Sequence, residues 1–259
     1  MEGGRLRRTP VSGERAGTLA GRFHAARHDP GLVVLEGLHA LKHAQRFGAD
    51  LLQIVMSDDA TADALASDLA PDTLPLLAAA LRVSPAIFAQ LAPVAHPTGV
   101  MALARRPSID TTHVLDGPGG SIVLLERPTH AGNIGAAVRV AAAAGAAALL
   151  VVAGEDPWSP AAVRGGAGLQ FALPVARLDA IPAHSRALVA VHPDGVELTS
   201  AALPADGIYA FGSERTGLSA ELLGRATRRI RIPMRAGVSS LNLATAVAVI
   251  LYHGVRSGP

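Results

Sequence analysis

The chain has 259 residues, of which 49% are hydrophobic and 17% charged, a composition typical of a globular protein with a large core rather than a disordered one. It contains no cysteine, which excludes disulfide bonds, thiolate metal sites and cysteine nucleophiles and suits a reducing cytoplasm. The N-terminus leads into no apolar signal-peptide core, and the most apolar run, residues 140–154, is too short to span a bilayer, so we expect a cytoplasmic protein.

Positive charge is concentrated at the two ends of the sequence. Residues 1–30 contain six arginines against three acidic residues, and residues 210–259 contain seven against two, whereas the sequence between them is net acidic. This segregation favours contact with a polyanion at both ends, although an arginine-rich surface exposed to solvent is an alternative. Aromatic residues make up only 3% of the chain, which argues against a platform that stacks single-stranded bases.

The first half of the sequence predicts a small α/β domain. Its apolar runs predict strands over 32–37, 51–57, 80–84 and 99–106, with helices over 38–50 and 85–92. His39 and His43 lie four residues apart on one predicted helix, but no third ligand accompanies them, so we expect a surface helix and no metal. We predict a basic arm over 1–20, a first domain over 21–106 and a turn-rich linker over 107–119.

Residues 120–259 predict a second α/β domain with a parallel sheet. Apolar strands predicted over 121–126, 148–154, 186–193, 207–213 and 229–234 alternate with helices, as in sheets covered on both faces. In such sheets ligands bind beyond the carboxyl ends of the strands. The loops that follow "VLLE", "YAFG" and "IPM" are therefore the places where a site is expected.

Each of these loops has an ordinary structural explanation when it is considered alone. Asn133 in the first loop suits a helix start, and Arg139 could extend its charged end to solvent from an apolar helix. In the second loop, Gly212 and Gly217 approach the spacing of a dinucleotide fingerprint, but Glu214 replaces the middle glycine and would repel a pyrophosphate, which disfavours NAD. In the third loop, Ser240 would be an ordinary N-cap of the last helix.

Together, the three loops resemble the signature of the TrmH/SpoU family of RNA 2′-O-ribose methyltransferases, within the SPOUT superfamily. The matching segments occur in the same order: "GNIGAAVRVAAAAG", "FGSERTGLS" and "RIPMRAGVSSLNLATAVAV". This resemblance covers residues 120–256, and "LVVLEGLHALKHA" with "PTGVMALARRP" resembles more loosely the ribosomal-protein-like α/β domain with which the family binds its RNA substrate. It implies a C-terminal SPOUT domain with a trefoil knot, S-adenosylmethionine as cofactor and a homodimer with active sites at its interface.

The resemblance also implies roles for individual residues. It places contacts to the cofactor at Gly212, Ile232, Met234 and Leu241. It places the catalytic side chains at Arg139, Asn133, Glu214, Ser240 and Asn242, with Asn133 and Arg139 facing the RNA. The chain departs from the family pattern in having Ala236 before Gly237 and in lacking an Asn-Pro before the first motif, which affects the shape of these loops and the choice of target.

The expected reaction is methylation of a ribose 2′-hydroxyl, with 23S ribosomal RNA favoured as substrate over transfer RNA. A non-catalytic RNA-binding or ribosome-assembly protein is the alternative, and loss of Arg139, Glu214 or Asn242 would indicate it; none is lost. An arginine side chain stays protonated at neutral pH, so Arg139 is expected to be essential either as an unusual base or as a clamp for a phosphate and the forming oxyanion.

Overall fold

A computed structural model of the chain describes residues 13–58, 61–92, 94 and 97–256. The chain divides into two compact units, Met1–Arg106 and Pro107–Pro259. Among the described residues, none of the helices combines the length and apolar character that crossing a bilayer requires. Within the same residues, no three histidine or acidic side chains are grouped closely enough to hold a metal ion.

The first unit is built on a four-stranded sheet. Its strands are β1 (Leu32–Glu36), β2 (Leu51–Ser57), β3 (Leu81–Val83) and β4 (Val100–Arg105). Its helices are α1 (Gly13–Ala26), α2 (Leu38–Arg46), α3 (Ala62–Leu69), α4 (Leu74–Ala79) and α5 (Pro85–Phe88). The strand order is β1-β4-β2-β3, in which β4 is antiparallel to both of its neighbours and β3 is parallel to β2.

Helix α1 differs from the basic arm predicted over residues 1–20. Residues 1–12 lie outside the described part of the chain, but residues 13–20 form the first half of α1. Leu19 and Phe23 lie four residues apart on one face of this helix and are buried in the core of the first unit. Burial of this pair makes the helix part of the folded unit. Two apolar residues are too few to have predicted the helix from the sequence.

One arginine of the basic N-terminal region is also committed to the fold. Arg27 donates a hydrogen bond of 2.7 Å from Nη1 to Oε1 of Glu36 and one of 3.0 Å from Nη2 to the carbonyl oxygen of Leu91. The side chains of this ion pair are only 11% and 2% exposed. Arg27 therefore joins the end of α1 to the sheet and is not available to a phosphate.

The second unit is built on a six-stranded sheet that is parallel throughout, which confirms the parallel sheet predicted from the sequence. Its strands are β5 (Ile122–Glu126), β6 (Ala148–Val152), β7 (Val175–Leu178), β8 (Leu188–Glu197), β9 (Ile208–Phe211) and β10 (Arg228–Arg231). Its helices are α6 (Thr111–Asp116), α7 (Ala131–Ala143), α8 (Pro160–Gly165), α9 (Ala220–Arg225) and α10 (Leu243–Arg256). The strand order is β10-β8-β9-β5-β6-β7. Strand β7 was not predicted, and the trefoil knot stays a prediction.

The segment predicted as a linker, 107–119, contains helix α6. Asp110 caps this helix by accepting a hydrogen bond of 3.0 Å from the backbone N–H of His113. Leu115 is buried in the core of the second unit, and Ile109 and Val114 pack against the same core. The helix was missed because its apolar positions span less than two turns, which is too short for a period to be recognised.

Candidate active site

A cavity of about 640 Å³ lies at the carboxyl edge of the parallel sheet. Strands β8, β9 and β10 are neighbours that run in one direction, so their carboxyl ends and the loops that follow them meet at this edge. The walls are formed by residues 191–193, 211–218 and 239–243, together with Arg231, Ile232, Met234 and Ala246.

Seven of the nine site residues proposed from the sequence line this cavity: Gly212, Glu214, Ile232, Met234, Ser240, Leu241 and Asn242. The other two lie on α7. Asn133 is in its first turn and reaches the cavity through hydrogen bonds with two lining residues. Arg139 is exposed and has no hydrogen-bond or ion-pair partner among the described residues.

The side chain of Asn133 joins the three loops. Its Nδ2 donates a hydrogen bond of 2.7 Å to Oε1 of Glu214. Its Oδ1 accepts one of 3.0 Å from Nδ2 of Asn242. Both polar atoms of the amide are thus used, and the three side chains hold one another in a fixed arrangement.

Asn242, rather than Ser240, supplies the cap of the last helix. Its Oδ1 accepts hydrogen bonds of 3.0 Å from the backbone N–H of Ala244 and 3.4 Å from that of Thr245. The amide of Asn242 therefore connects the start of α10 to Asn133. Ser240, which an ordinary reading of the sequence would make the cap, is exposed and has no hydrogen-bond partner among the described residues.

Thr129 is a site residue that the sequence did not identify. Its hydroxyl donates a hydrogen bond of 3.1 Å to Oε2 of Glu214, and its backbone N–H donates one of 3.4 Å to the same oxygen. Partial burial by itself would raise the pKa of Glu214, but the hydrogen bonds from Asn133, the backbone and Thr129 outweigh it and hold that pKa below its ordinary value. Glu214 is therefore an anion that is already satisfied by hydrogen-bond donors.

The loop that carries Glu214 is a tight turn. Ser213 and Gly217 exchange two backbone hydrogen bonds of 3.2 and 3.0 Å, and Oγ of Ser213 accepts another of 3.1 Å from the backbone N–H of Thr216. Gly217 has a φ of 65°, in the left-handed region that favours glycine. A Cβ on Gly212 would overlap the backbone of Gly217 and Leu218. The two glycines thus serve the turn, not a dinucleotide fingerprint.

A second carboxylate holds the far end of the same loop. Glu126, the buried last residue of β5, accepts a hydrogen bond of 2.7 Å at Oε2 from the backbone N–H of Ser219. Ser219 in turn caps α9 by accepting a 3.1 Å hydrogen bond from the backbone N–H of Leu222. The loop 212–219 is therefore attached to the β5–α7 connection at both ends, and no feature of the local sequence identified Glu126.

The loop that follows β10 is exposed throughout residues 233–242. Three of its apolar residues are more than one third exposed: Met234 at 38%, Val238 at 49% and Leu241 at 37%. Two of them, Met234 and Leu241, line the cavity, beside the half-buried Ile232. The loop after β10 therefore presents apolar surface to the cavity that no other described residue of the unit covers.

The match to a protein family covers the unit that contains this cavity. Residues 120–252 match the model of the SpoU rRNA Methylase family. An uncharacterized tRNA/rRNA methyltransferase of Synechocystis is 33% identical over 187 residues, which are 67% of this chain and 66% of the relative. A 23S rRNA (uridine(2479)-2′-O)-methyltransferase of Streptomyces viridochromogenes is 32% identical over 174 residues, or 62% of this chain and 61% of the relative. The matched segment thus spans less than two thirds of either relative.

The fold also matches solved structures over nearly the whole chain. The SpoU methyltransferase AviRb from Streptomyces viridochromogenes, solved in complex with the cofactor AdoMet, superposes with a TM-score of 0.76 over 96% of this chain and 100% of that one. The two chains are 24% identical in sequence, so this likeness concerns the fold.

Proposed function

This chain belongs to the SpoU rRNA Methylase family, and we propose that it is an RNA 2′-O-ribose methyltransferase that uses S-adenosylmethionine. The observation that carries the proposal is the convergence of the three family motifs on one cavity. Asn133 of the first motif, Glu214 of the second and Asn242 of the third form a single hydrogen-bonded group. Three segments so distant in the sequence are held together at the place where a ligand would bind.

The residues of the cavity fit S-adenosylmethionine. A volume of about 640 Å³ is within the range of pockets that hold ligands of this size. Ile232, Met234 and Leu241 provide apolar contacts for an adenosyl group, and they account for the exposed apolar surface of the third loop. At Gly212 the absence of a side chain lets the chain pass close to the turn at 217–218 while its backbone lines the cavity.

The bound cofactor would supply an electrophilic methyl group on a positively charged sulfur. The chain's own residues must then bring the ribose hydroxyl into line, exclude bulk water from the reacting atoms and let the hydroxyl proton pass to solvent at the open side of the cavity. Asn133 and Asn242 are the polar side chains best placed for this role, because hydrogen bonds orient each of them and the Nδ2 of each keeps a second N–H that its bonds to described residues leave free. Glu214 acts through Asn133, because its carboxylate oxygens are occupied by Asn133 and Thr129. Glu214 is therefore a positioning residue, and Ser240 remains a proposed contact of the ribose.

Arg139 is not among the described residues that line the cavity. Its guanidinium has no partner among the described residues, so it is available to an RNA phosphate or to the forming oxyanion. A protonated arginine at this position is better suited to binding an anion than to removing a proton. We therefore assign Arg139 the role of an anion clamp.

Ribosomal RNA of the large subunit is the proposed substrate. The support is the relative from Streptomyces viridochromogenes, which methylates a uridine of 23S rRNA. Transfer RNA is the second candidate, since the name of the relative from Synechocystis allows both classes. We further propose that the enzyme works in the cytoplasm, where these RNAs are modified.

A homodimer is part of the proposal. On α10 four uncharged residues at helical spacing are at least partly exposed: Thr245, Ala248, Val249 and Tyr252. Such a face suits a second copy of the chain, which would bring two active sites to one interface. Light scattering of the purified protein at micromolar concentration should give twice the mass of the chain, and a monomer with full activity would contradict this part of the proposal.

The test of the activity is transfer of a labelled methyl group from S-adenosylmethionine to total RNA from cells that lack the gene. The label is expected in large-subunit ribosomal RNA, at a ribose that then resists alkaline cleavage. The variant Asn242→Ala should lose this transfer, whereas Arg177→Gln, a change on β7 at the opposite edge of the sheet, should not. RNA binding without any affinity for S-adenosylmethionine would favour the non-catalytic alternative.

A further inference from the structure

Most arginines of the second unit are engaged by the protein itself. Arg186 donates to four backbone carbonyls and Arg225 to two. Arg127, Arg164, Arg177, Arg228, Arg229 and Arg231 also have partners within the protein. Among the arginines of this unit whose side chains are described, three have a guanidinium without a hydrogen-bond or ion-pair partner: Arg139, Arg215 and Arg235.

The three unpartnered arginines are not scattered over the surface. Arg139 lies on the helix of the first motif, Arg215 in the loop of the second and Arg235 in the loop of the third. Arg139 already has a place in the proposed function. Of the other two, Arg215 is the one that lines the cavity.

Arg215 is presented by the most constrained loop of the site. It occupies the middle of the turn 213–217, which is closed by the paired backbone hydrogen bonds of Ser213 and Gly217. The residue after it, Thr216, is bonded to Ser213 through both its backbone N–H and its hydroxyl. The backbone at Arg215 is therefore positioned before any ligand binds, which lowers the entropic cost of using its side chain.

The adjacent carboxylate does not neutralise Arg215. Glu214 is the preceding residue, yet its two oxygens accept hydrogen bonds from Asn133 and Thr129 and form no ion pair with Arg215. An exposed guanidinium at the cavity is thus left with all of its donors available. Its planar fork matches the oxygen atoms of a phosphate.

We propose that Arg215 binds a backbone phosphate of the RNA strand that carries the target ribose. The inference rests on the proposed function, because a ribose held at the cavity necessarily brings its flanking phosphates to the rim. The carboxylate of S-adenosylmethionine is the other anion that could reach this residue. Both share the chemistry of a paired oxygen acceptor, and direct binding measurements separate them.

The experiment compares Arg215→Gln with Arg177→Gln, which removes the same charge from the distant edge strand β7. RNA affinity is measured at several salt concentrations, and S-adenosylmethionine affinity is measured by calorimetry. For Arg215→Gln we expect the Kd for RNA to rise about tenfold. The slope of log K against log salt should also become shallower by about 0.7. The thermal midpoint and the cofactor Kd should stay those of the parent protein.

Arg215→Lys provides a second variant, which should recover part of the RNA affinity because it restores the charge without the fork. The inference is overturned if Arg215→Gln binds RNA like Arg177→Gln, or if it loses affinity for S-adenosylmethionine instead of RNA. Failure of the proposed function has a different signature, since the parent protein would then transfer no methyl group to RNA at all.

Discussion

The two loops that form the walls of the cavity are held in different ways. The loop 212–219 is closed on itself by Ser213 and Gly217 and is attached to the β5–α7 connection by Glu126 and by Glu214. The loop 233–242 is exposed throughout and is anchored at its end, where Asn242 bonds to Asn133 and caps α10. Within the loop, the backbone hydrogen bond among the described residues is the one of 3.1 Å from the N–H of Val238 to the carbonyl oxygen of Arg235. The wall formed by the loop 212–219 is thus in place before a ligand binds. The wall formed by the loop 233–242 still has apolar side chains that a ligand would cover.

The two loops therefore serve the site in different ways, one by positioning polar groups and the other by offering apolar surface. A wall that is already in place positions polar groups at little entropic cost during binding. A wall that exposes Met234 and Leu241 gains its stabilisation only when a ligand or a second copy of the chain covers it. We therefore expect substitutions of the residues that hold the loop 212–219 in place to affect stability, and substitutions of the cavity-lining apolar residues of the loop 233–242 to affect mainly cofactor affinity.

The largest effect is expected from Gly212→Ala, which places a Cβ against the backbone of Gly217 and Leu218. Because backbone atoms cannot move aside as a flexible side chain can, we expect unfolding to become easier by about 3 kcal/mol and cofactor binding to be lost. Gly224→Ala is the matched control, since a Cβ there meets nothing within 4 Å. Equal melting temperatures for the two variants would show that the loop 212–219 is not constrained as described.

A smaller effect on stability is expected from Asn133→Ala, which removes the link between Glu214 and Asn242. The loss of these hydrogen bonds should destabilise the fold by about 1 kcal/mol. Methyl transfer should fall by about 100-fold because the polar groups are no longer held in position. Gly132→Ala changes the neighbouring residue with open space around its Cβ and serves as the control. Normal turnover by Asn133→Ala would exclude the linking role.

The charge of Glu214, in the loop 212–219, should contribute still less to stability, and its contribution should depend on pH. The pKa of Glu214 is lowered in the folded state by its hydrogen bonds, so its charge stabilises the fold above the unfolded pKa, which is about 4.3 for glutamate. That contribution is lost as the pH falls through the lower folded pKa. The parent protein should melt above Glu214→Gln at pH 7, and the difference should shrink below about pH 4. A difference that grows on acidification would contradict the sign.

A smaller change in stability is expected from the cavity-lining Leu241 of the loop 233–242. Leu241→Ala removes an exposed side chain, so the unliganded protein should change by less than about 0.5 kcal/mol. Its Kd for S-adenosylmethionine should nevertheless rise about tenfold, because the lost apolar surface would be buried by the ligand. Val238→Ala is the control, since Val238 is exposed in the same loop but does not line the cavity.

Hydrogen exchange tests the same contrast without a substitution. Amides of 213–217 should be protected with and without S-adenosylmethionine, whereas those of 233–241 should gain protection only when it is bound. Similar exchange in the two loops before the ligand is added would remove the distinction between the walls.

The sequence was sufficient to predict the parallel sheet and the edge of the sheet at which the cavity lies. Apolar strands alternating with helices leave few arrangements other than a covered parallel sheet, and its carboxyl ends determine which loops meet. The three motifs carried the family resemblance, and the match to the SpoU rRNA Methylase family confirms it. Short apolar patterns were not sufficient, and so α1 and α6 were read as an arm and a linker.

Only the tertiary structure decided how the site residues act on one another. Asn133 meets Glu214 across 81 residues and Asn242 across 109, and Glu126 meets Ser219 across 93. Periodicity reports which face of an element is buried, but it carries no information on which distant polar side chains will share a hydrogen bond. The sequence could therefore propose Asn133, Glu214 and Asn242 as site residues, but not the hydrogen bonds that join them. Those bonds, the contacts of Thr129 and Glu126, and the unpaired side chain of Arg215 follow only from the packing of the three loops.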